Sequence, residues 1–239
     1  MTILALECTH EALSTAVLHN GEVTEAKSSE WKKAAESLVP LVEHVMCESS
    51  LQRKQLQAVA ISSGPGSFTA LRIGMAVAKG IAFGLAIPLL PVPTMPSMAA
   101  AFGATDGFVM AVIQARRNEY YYALYDAQEK AQALASGIWH NRVERGSLED
   151  IKHYLSQYAS QPIVMVGRQL QRLHEALMLS NVHYAEADFF SARSLFPFAE
   201  KMFANASSIP PIADVVPDYQ QEFKASEALP YSRIRHTVS

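Results

Sequence analysis

Cysteine is scarce in this chain of 239 residues, which contains only Cys8 and Cys47. Two cysteines cannot build a disulfide framework, and these two do not form the Cys-x-x-Cys pair that holds zinc or exchanges disulfides. Such scarcity is typical of a reducing compartment. The opening residues, MTILALECT, carry no basic segment and fit a strand directly, so they do not resemble a secretion signal. The sequence therefore predicts a cytoplasmic protein.

Charged residues are also few, at 18% of the chain, and the net charge is −3. Strong binding of a nucleic acid needs an excess of positive charge, so direct binding of tRNA or DNA by this chain alone is disfavoured. The longest apolar stretch, residues 80–92, is shorter than a membrane span and contains Pro88 and Pro91. Hydrophobic residues nevertheless make up 49% of the chain, enough for a large core. We expect a globular protein without a membrane segment.

Two common site motifs are missing as well. None of the eight histidines stands two or four residues from another, so the HxH and HxxxH spacings of metal sites are absent. The loop at residues 64–66 contains two glycines, but it is not a phosphate-binding P-loop. GxxxxGK[ST] does not occur, and Lys79 lies two turns too far along the chain. A metalloprotease is therefore disfavoured, and no metal site is predicted.

Strand and helix patterns alternate along the chain. The pattern of the first part predicts a three-stranded meander with a turn at Asn20-Gly21. Together with the units that follow it, the meander gives the order β-β-β-α-β-α-β-α. A second hairpin and further βα units follow, and residues 138–143 could extend their sheet. This repetition predicts a duplicated α/β plan, with one lobe at residues 1–105 and a smaller lobe with an irregular tail at residues 106–239.

The most distinctive segment is residues 62–84, SSGPGSFTALRIGMAVAKGIAFG. Its Gly-Pro-Gly turn leads into a helix that Ser67 or Thr69 can cap. The first amides of that helix could serve an anion site, although a plain strand-to-helix turn explains the spacing better.

Small residues form two adjacent stripes on this predicted helix. One stripe consists of Ala70, Gly74 and Ala78, and the other of Ala76, Gly80 and Gly84. Each glycine inside a helix costs about 1 kcal/mol relative to alanine, so something must pack close to the helix backbone. Close packing on the sheet and close contact with another subunit are both consistent with this pattern.

Several segments together resemble one known family. Residues 63–74, SGPGSFTALRIG, resemble the signature of the TsaB (YeaZ) family, and the opening ILALECTHEALSTAVL resembles that family's first hairpin. Residues 115–120, ARRNEY, resemble its ARxxEVY-type segment, and Glu36, Leu38 and Pro40 match its first-helix pattern. The resemblance runs in register from residue 3 to about residue 125. Glu7 departs from it, because the family usually has Asp there.

The resemblance implies a two-lobed ASKHA (actin/chaperone/sugar-kinase-like) fold, with duplicated mixed β-sheets flanked by helices. It also implies a degenerate paralogue of the transferase TsaD. Such a subunit is non-catalytic: it binds TsaD, helps to recruit the ATPase TsaE, and forms a homodimer when alone. The complex places a threonylcarbamoyl group on the anticodon-adjacent adenosine of tRNAs reading ANN codons. This chain would reach tRNA only indirectly, and the partner subunits would use ATP and metal.

The sequence agrees with the loss of a nucleotide site that this resemblance implies. An ASKHA nucleotide site needs a glycine in the turn after the first strand of each lobe, so that backbone amides can reach the phosphates. The two corresponding turns, residues 7–11 and 114–118, contain no glycine. We therefore predict no catalytic residue and no cofactor bound stably by this chain.

We place the predicted partner surface on the two helices of the first lobe, at about residues 34–47 and 70–83. The expected contact residues are Leu38, Leu41, Val45, Gly66, Ala70, Ile73, Gly74, Val77, Ala78 and Ile81. The main alternative is an ATP- or adenylate-dependent transferase or hydrolase that is active on its own. It would use the turn after Gly66 as an anion site.

Overall fold

The computed structural model describes residues 1–10, 12–28, 33–103, 105–116, 118–139, 142–205 and 209–220. In this part of the chain, ten strands form two five-stranded sheets with helices on both sides of each.

The first sheet has the strand order β3-β2-β1-β4-β5. Its strands are β1 (Thr2–His10), β2 (Ala12–His19), β3 (Glu22–Ser28), β4 (Ala58–Ser62) and β5 (Leu89–Val92). The first three strands are antiparallel, and β4 and β5 add in parallel beside β1. Asn20 and Gly21 have φ angles of 50° and 88°, as the tight turn between β2 and β3 requires. The predicted meander and its turn are confirmed.

The first half of the chain has three helices: α1 (Ala34–Glu48), α2 (Phe68–Leu85) and α3 (Thr94–Ala101). Helix α1 continues through Pro40, whose side chain lies on the exposed face of the helix. Helices α1 and α2 cover the outer face of the sheet. Their buried residues join those of β1 and β4 in one apolar cluster that includes Leu4, Leu38 and Ala78.

The second sheet repeats the first. Its strands are β6 (Phe108–Arg116), β7 (Glu119–Tyr125), β8 (Glu144–Gly146), β9 (Ile163–Gly167) and β10 (Val182–Glu186). Their order is β10-β9-β6-β7-β8, with β6, β7 and β8 antiparallel and β9 and β10 parallel to β6. Counted within each lobe, both sheets have the order 3-2-1-4-5 with the same strand directions. The predicted duplication is therefore confirmed.

The helices of the second half are α4 (Ala127–Ser136), α5 (Leu148–Ser156), α6 (Gln171–Leu177) and α7 (Phe196–Ala204). Helix α3 packs on β6 and β7, whereas α7 packs on β5, β4 and β1. Because the last helix of each half packs on the sheet of the other, one inner core lies between the two sheets. It includes Ala5, Met98, Ala111 and Phe198.

The strand predicted at residues 138–143 is wrong. The third strand of the second sheet is β8, and Ile138 and Trp139 belong to no regular element, while residues 140–141 lie outside the described part of the chain. Helix α4, which the sequence analysis did not predict, ends at the left-handed residue Gly137 (φ 73°). The chain that follows directs Trp139 onto the rings of Tyr125 and Phe198. Trp139 and Val143 therefore pack against the inner core without forming a strand.

Candidate partner-binding surface

The Gly-Pro-Gly turn is closed by the chain's own backbone. A Cβ atom at Gly66 would lie 2.4 Å from the carbonyl oxygen of Thr9, and one at Gly64 would lie 2.3 Å from that of Asp218. The amide of Ser67 donates to the Thr9 carbonyl at 2.8 Å, so this amide is already used. The Ser67 hydroxyl caps α2 by accepting from the Ala70 amide at 3.5 Å. The turn therefore fixes the start of α2 against β1.

The carboxyl group of Glu7 lies in the interior, 2% exposed, beside this turn. Its Oε1 atom accepts hydrogen bonds from the amide and the hydroxyl of Thr9. Burial raises the pKa of Glu7, while hydrogen bonds from Ser62 and Thr9 and the charge of Arg168 act in the opposite direction. A carboxyl group held in this way serves as an internal hydrogen-bond acceptor.

The two cysteines are in contrasting surroundings. Cys8 is fully buried and its thiol donates to the carbonyl of Ala70 at 3.3 Å, whereas Cys47 is exposed. Burial, with a smaller effect of the neighbouring Glu7 carboxylate, raises the pKa of the Cys8 thiol far above its ordinary value. Because the thiolate is the reactive form, Cys8 is chemically inert in the folded chain.

This contrast gives a prediction for thiol reactivity. In the native protein, a disulfide reagent such as dithionitrobenzoate should titrate one thiol per chain, which is Cys47. The second thiol should react only after unfolding in guanidinium. The variant Cys47→Ser is the control, and it should show almost no native reaction. Rapid reaction of two thiols in the folded wild-type chain would contradict the buried position of Cys8.

The structure divides the predicted contact residues into two groups. Leu38, Val45, Ala70, Gly74 and Ala78 are buried within the chain, in contact with its own core. The others are at least partly accessible: Leu41, Gly66, Ile73, Val77 and Ile81. Direct contact between a partner and the first group is therefore not available, because those residues pack inside the first lobe. The interface itself stays a prediction, and the second group can contribute to it.

Gly74 shows why the first group is buried. A Cβ atom there would lie 2.1 Å from the Sγ atom of Cys8 and 3.3 Å from Cδ1 of Ile61. The small residue is thus required by the packing of α2 on β1 and β4. At Gly80 and Gly84, by contrast, an added Cβ would meet no atom of the described residues within 4 Å. Of the two stripes of small residues, one faces the sheet and the other faces outward.

An apolar groove lies between α1 and α2 on this outward side. Its volume is about 780 Å³, and its lining includes Val39, Val77, Gly80, Ile81 and Gly84. Glu43 and Arg53 also line the groove and form an ion pair of 3.1 Å with each other. The walls of the groove are otherwise largely apolar. A surface of this kind is typical of a binding site for another protein.

Sequence reasoning missed two exposed apolar side chains near this groove. Val39 is 47% exposed on α1, and Phe83 is 79% exposed on the last turn of α2. Helical periodicity marks the apolar face that packs on the sheet, so it gives no signal for apolar residues on the opposite face. Helix α2 is also apolar and long enough, by length and composition alone, to cross a membrane. Its buried face instead packs on β1 and β4.

Residues 209–219, which we call the C-terminal strap, form hydrogen bonds with side chains of α2. The Lys79 amino group donates to the carbonyl of Ala213 at 3.2 Å, and Arg72 Nε donates to the Tyr219 hydroxyl at 3.1 Å. The Tyr121 hydroxyl of the second sheet donates to the Tyr219 carbonyl at 3.0 Å. The strap therefore connects α2 to β7 of the second sheet.

Within the described residues, no group of three or more His, Cys, Asp or Glu side chains could hold a metal ion. The predicted absence of a metal site and of a cofactor stays a prediction.

Comparison with known proteins identifies similar chains. The family model described as "TsaD: tRNA N6-adenosine threonylcarbamoyltransferase" matches residues 29–191. The "tRNA threonylcarbamoyladenosine biosynthesis protein TsaB" of Escherichia coli (strain K12) is 30% identical over 214 residues, which are 87% of this chain and 90% of that protein. The Haemophilus influenzae protein of the same name is 37% identical over 125 residues, about half of each chain.

The solved structure of YeaZ from Pseudomonas aeruginosa is similar in fold. It covers 91% of this chain and 99% of its own, with a TM-score of 0.74 at 24% sequence identity. Together with the two sheets of identical topology, this likeness confirms the predicted two-lobed ASKHA-like α/β fold.

Proposed function

Since the chain belongs to the TsaB (YeaZ) family and so has a role in the formation of threonylcarbamoyladenosine in tRNA, we propose that it acts there as a non-catalytic partner subunit. It binds a TsaD-like catalytic paralogue through the groove between α1 and α2. The single observation that carries this proposal is the groove itself, which is apolar and bordered by glycines with free space above them.

The two outward glycines favour a helical partner. Each costs the isolated helix about 1 kcal/mol relative to alanine, and no described residue of the chain fills the space above them. Packed helices approach to 8–10 Å between axes, and the small residues at the contact set the lower end of that range. A helix of the paralogue lying over Gly80 and Gly84 would recover the cost through close packing.

The exposed apolar residues nearby support the same proposal. Val39 on α1 and Phe83 on α2 are both exposed, and aromatic side chains commonly carry much of the binding energy of an interface. Without the paralogue, two copies of the chain can bury this surface against each other in a symmetric homodimer. Homodimer and heterodimer would then compete for one face. The assembled pair would recruit the TsaE-like ATPase, and tRNA would be bound by the complex.

A catalytic role for this chain alone is less well supported. The Gly-Pro-Gly turn is closed by the backbone of Thr9 and Asp218, so its amides are not arranged around an open anion site. Glu7, a carboxylate beside that turn, is buried and engaged by Thr9. In this proposal the partner subunits supply the ATP site, the metal and the reacting groups.

Reconstitution tests the proposal. The chain, its TsaD-like and TsaE-like partners and an ANN-reading tRNA transcript are combined with ATP and the threonylcarbamoyl donor. Modified adenosine should form with all the proteins present and should fall to background when this chain is left out. The chain alone should turn over neither ATP nor the adenylate. Turnover by the isolated chain that Ser67→Ala or Glu7→Gln abolishes would instead establish the enzymatic alternative.

A further inference from the structure

A second cavity, of about 230 Å³, lies in the second lobe beside the end of β7. Its walls are formed by the last residues of β7, by one face of α4 and by the chain that follows α4. The lining residues that bear on its chemistry are Tyr125, Glu129, Gln132, Ile138, Trp139 and Arg142. A water molecule takes about 30 Å³ in the liquid, so the cavity has room for more than a single water.

Two side-chain donors at this cavity have no acceptor. The hydroxyl group of Tyr125 and the indole Nε1–H group of Trp139 are buried, and neither forms a hydrogen bond within the described part of the chain. A buried donor without an acceptor costs about 1–3 kcal/mol, and such groups are rare unless water or a ligand pairs with them. Two of them on one cavity indicate that an acceptor is missing there.

Packing holds both donors in place. The indole of Trp139 meets the ring of Tyr125 edge to face, with the ring centroids 5.1 Å apart, and its centroid lies 5.4 Å from that of Phe198. Burial raises the pKa of Tyr125 far above its ordinary value, and the charge of Glu129 adds a smaller effect in the same direction. The hydroxyl group therefore keeps its proton at neutral pH and remains a donor.

The charges at the cavity cancel. Among the described residues that line it, one is acidic and one is basic: Glu129 and Arg142. The Oε1 atom of Glu129 lies 3.9 Å from Nη1 of Arg142, which is an ion pair but too long for a hydrogen bond. The other oxygen, Oε2, accepts from the Asp126 amide at 3.3 Å. The cavity thus offers two donors and one carboxylate acceptor without a net charge, which favours a neutral ligand.

We propose that this cavity binds a small neutral primary carboxamide. Its carbonyl oxygen has two lone pairs and accepts from Tyr125 and Trp139, while its NH₂ group donates to Glu129. The apolar remainder of the ligand packs on Ala133 and Ile138, which also line the cavity. The cavity shares no lining residue with the groove between α1 and α2. The site therefore adds a ligand to the proposed function and does not depend on it.

Titration with benzamide tests this site. The chain has two tryptophans, so a ¹H–¹⁵N spectrum of the full protein contains two indole signals, and Trp139→Phe identifies that of Trp139. Benzamide should shift this signal saturably and downfield, because the indole N–H gains a hydrogen bond. N,N-dimethylbenzamide keeps the carbonyl oxygen but has no N–H group for Glu129. It should therefore bind about fivefold more weakly, as the loss of one hydrogen bond implies.

Tyr125→Phe removes one of the two unpaired donors. It should weaken benzamide binding about fivefold without lowering the melting temperature of the free chain, because the hydroxyl group has no partner there. The matched control is Tyr184→Phe. Tyr184 lies on β10 of the same lobe, outside this cavity, and its hydroxyl group is likewise buried without a partner. This control should bind benzamide like the wild type.

Three results would overturn the proposal. The first is the absence of a saturable shift of the Trp139 signal in the wild-type chain, which would leave water as the partner of both donors. The second is an equal loss of binding in Tyr125→Phe and Tyr184→Phe. The third is equal affinity for benzamide and its dimethyl derivative. The titration uses the chain alone, so a failure of the proposed partner role would leave its result unchanged.

Discussion

Gly74→Leu is expected to unfold the chain, although the sequence places Gly74 among the expected partner contacts. The first side-chain atom would already lie 2.1 Å from Cys8 Sγ, and a leucine adds three more carbons toward Ile61. Both neighbours are fully buried on central strands of the first sheet, so they have no space into which to move. Overpacking of this kind should lower the free energy of unfolding by more than about 3 kcal/mol. Urea denaturation followed by circular dichroism measures the loss.

A compensating exchange tests the cause of that loss. Cys8→Ala removes the Sγ atom that a side chain at residue 74 would meet. The double variant Cys8→Ala with Gly74→Ala should therefore be more stable than the sum of the two single effects allows. If Gly74→Leu instead unfolds at the same urea concentration as the wild type and no longer binds the paralogue, residue 74 lies on the partner surface after all.

The two stripes of α2 show where sequence reasoning reaches its limit. The spacing of small residues correctly indicates that something packs close to this helix on two adjacent faces. It cannot say which face meets the sheet, because Gly74 and Gly80 are the same residue in a similar local sequence. The choice depends on Cys8 and Ile61, which reach α2 only after the strands have assembled. Long-range packing therefore decided which glycine is structural.

Other features of the site lay beyond the sequence for the same reason. The strap was predicted as an irregular tail, and its backbone agrees with that. Its hold on α2 depends on Arg72 and Tyr219, which are separated by 147 positions. The hydrogen bond from Arg172 to Asn118 likewise joins α6 to the loop of the β6–β7 hairpin, 54 positions earlier in the chain. Helix α4 is different: its capping box, in which Asp126 and Glu129 bond each other's amides, was present in the sequence.

The duplicated sheet order could be predicted from the sequence because it follows from local patterns. Each lobe begins with a hairpin and continues with βα units, and crossover connections of one handedness leave few arrangements for the strands. The packing of α3 and α7, each on the sheet of the other half, could not be predicted in this way. Their apolar residues show that both helices are buried but not against which sheet. That exchange creates the inner core and makes the lobes one packed unit.

Gly80→Leu is expected to have the opposite effect to Gly74→Leu. The new side chain would project into the groove between α1 and α2, where an added Cβ meets no atom within 4 Å. The fold should be unchanged or more stable by up to about 1 kcal/mol, because leucine favours a helix interior more than glycine does. A partner helix could no longer approach the backbone closely. The dissociation constant for the TsaD-like paralogue should rise about 30-fold or more, which corresponds to the loss of about 2 kcal/mol at an interface hot spot.

Calorimetry with the purified paralogue measures this effect, and size-exclusion chromatography with light scattering follows the homodimer. Gly84→Leu should behave like Gly80→Leu, since it stands one turn along the same face. Ala131→Leu provides the matched control, because it adds the same side chain at an exposed position of α4 on the other lobe. If both glycine variants weaken the homodimer and the complex with the paralogue, and the control variant weakens neither, then both partners bind the same surface. Wild-type affinity in Gly80→Leu, with the fold intact, would move the partner surface away from this groove, because no close helix contact could survive a leucine there.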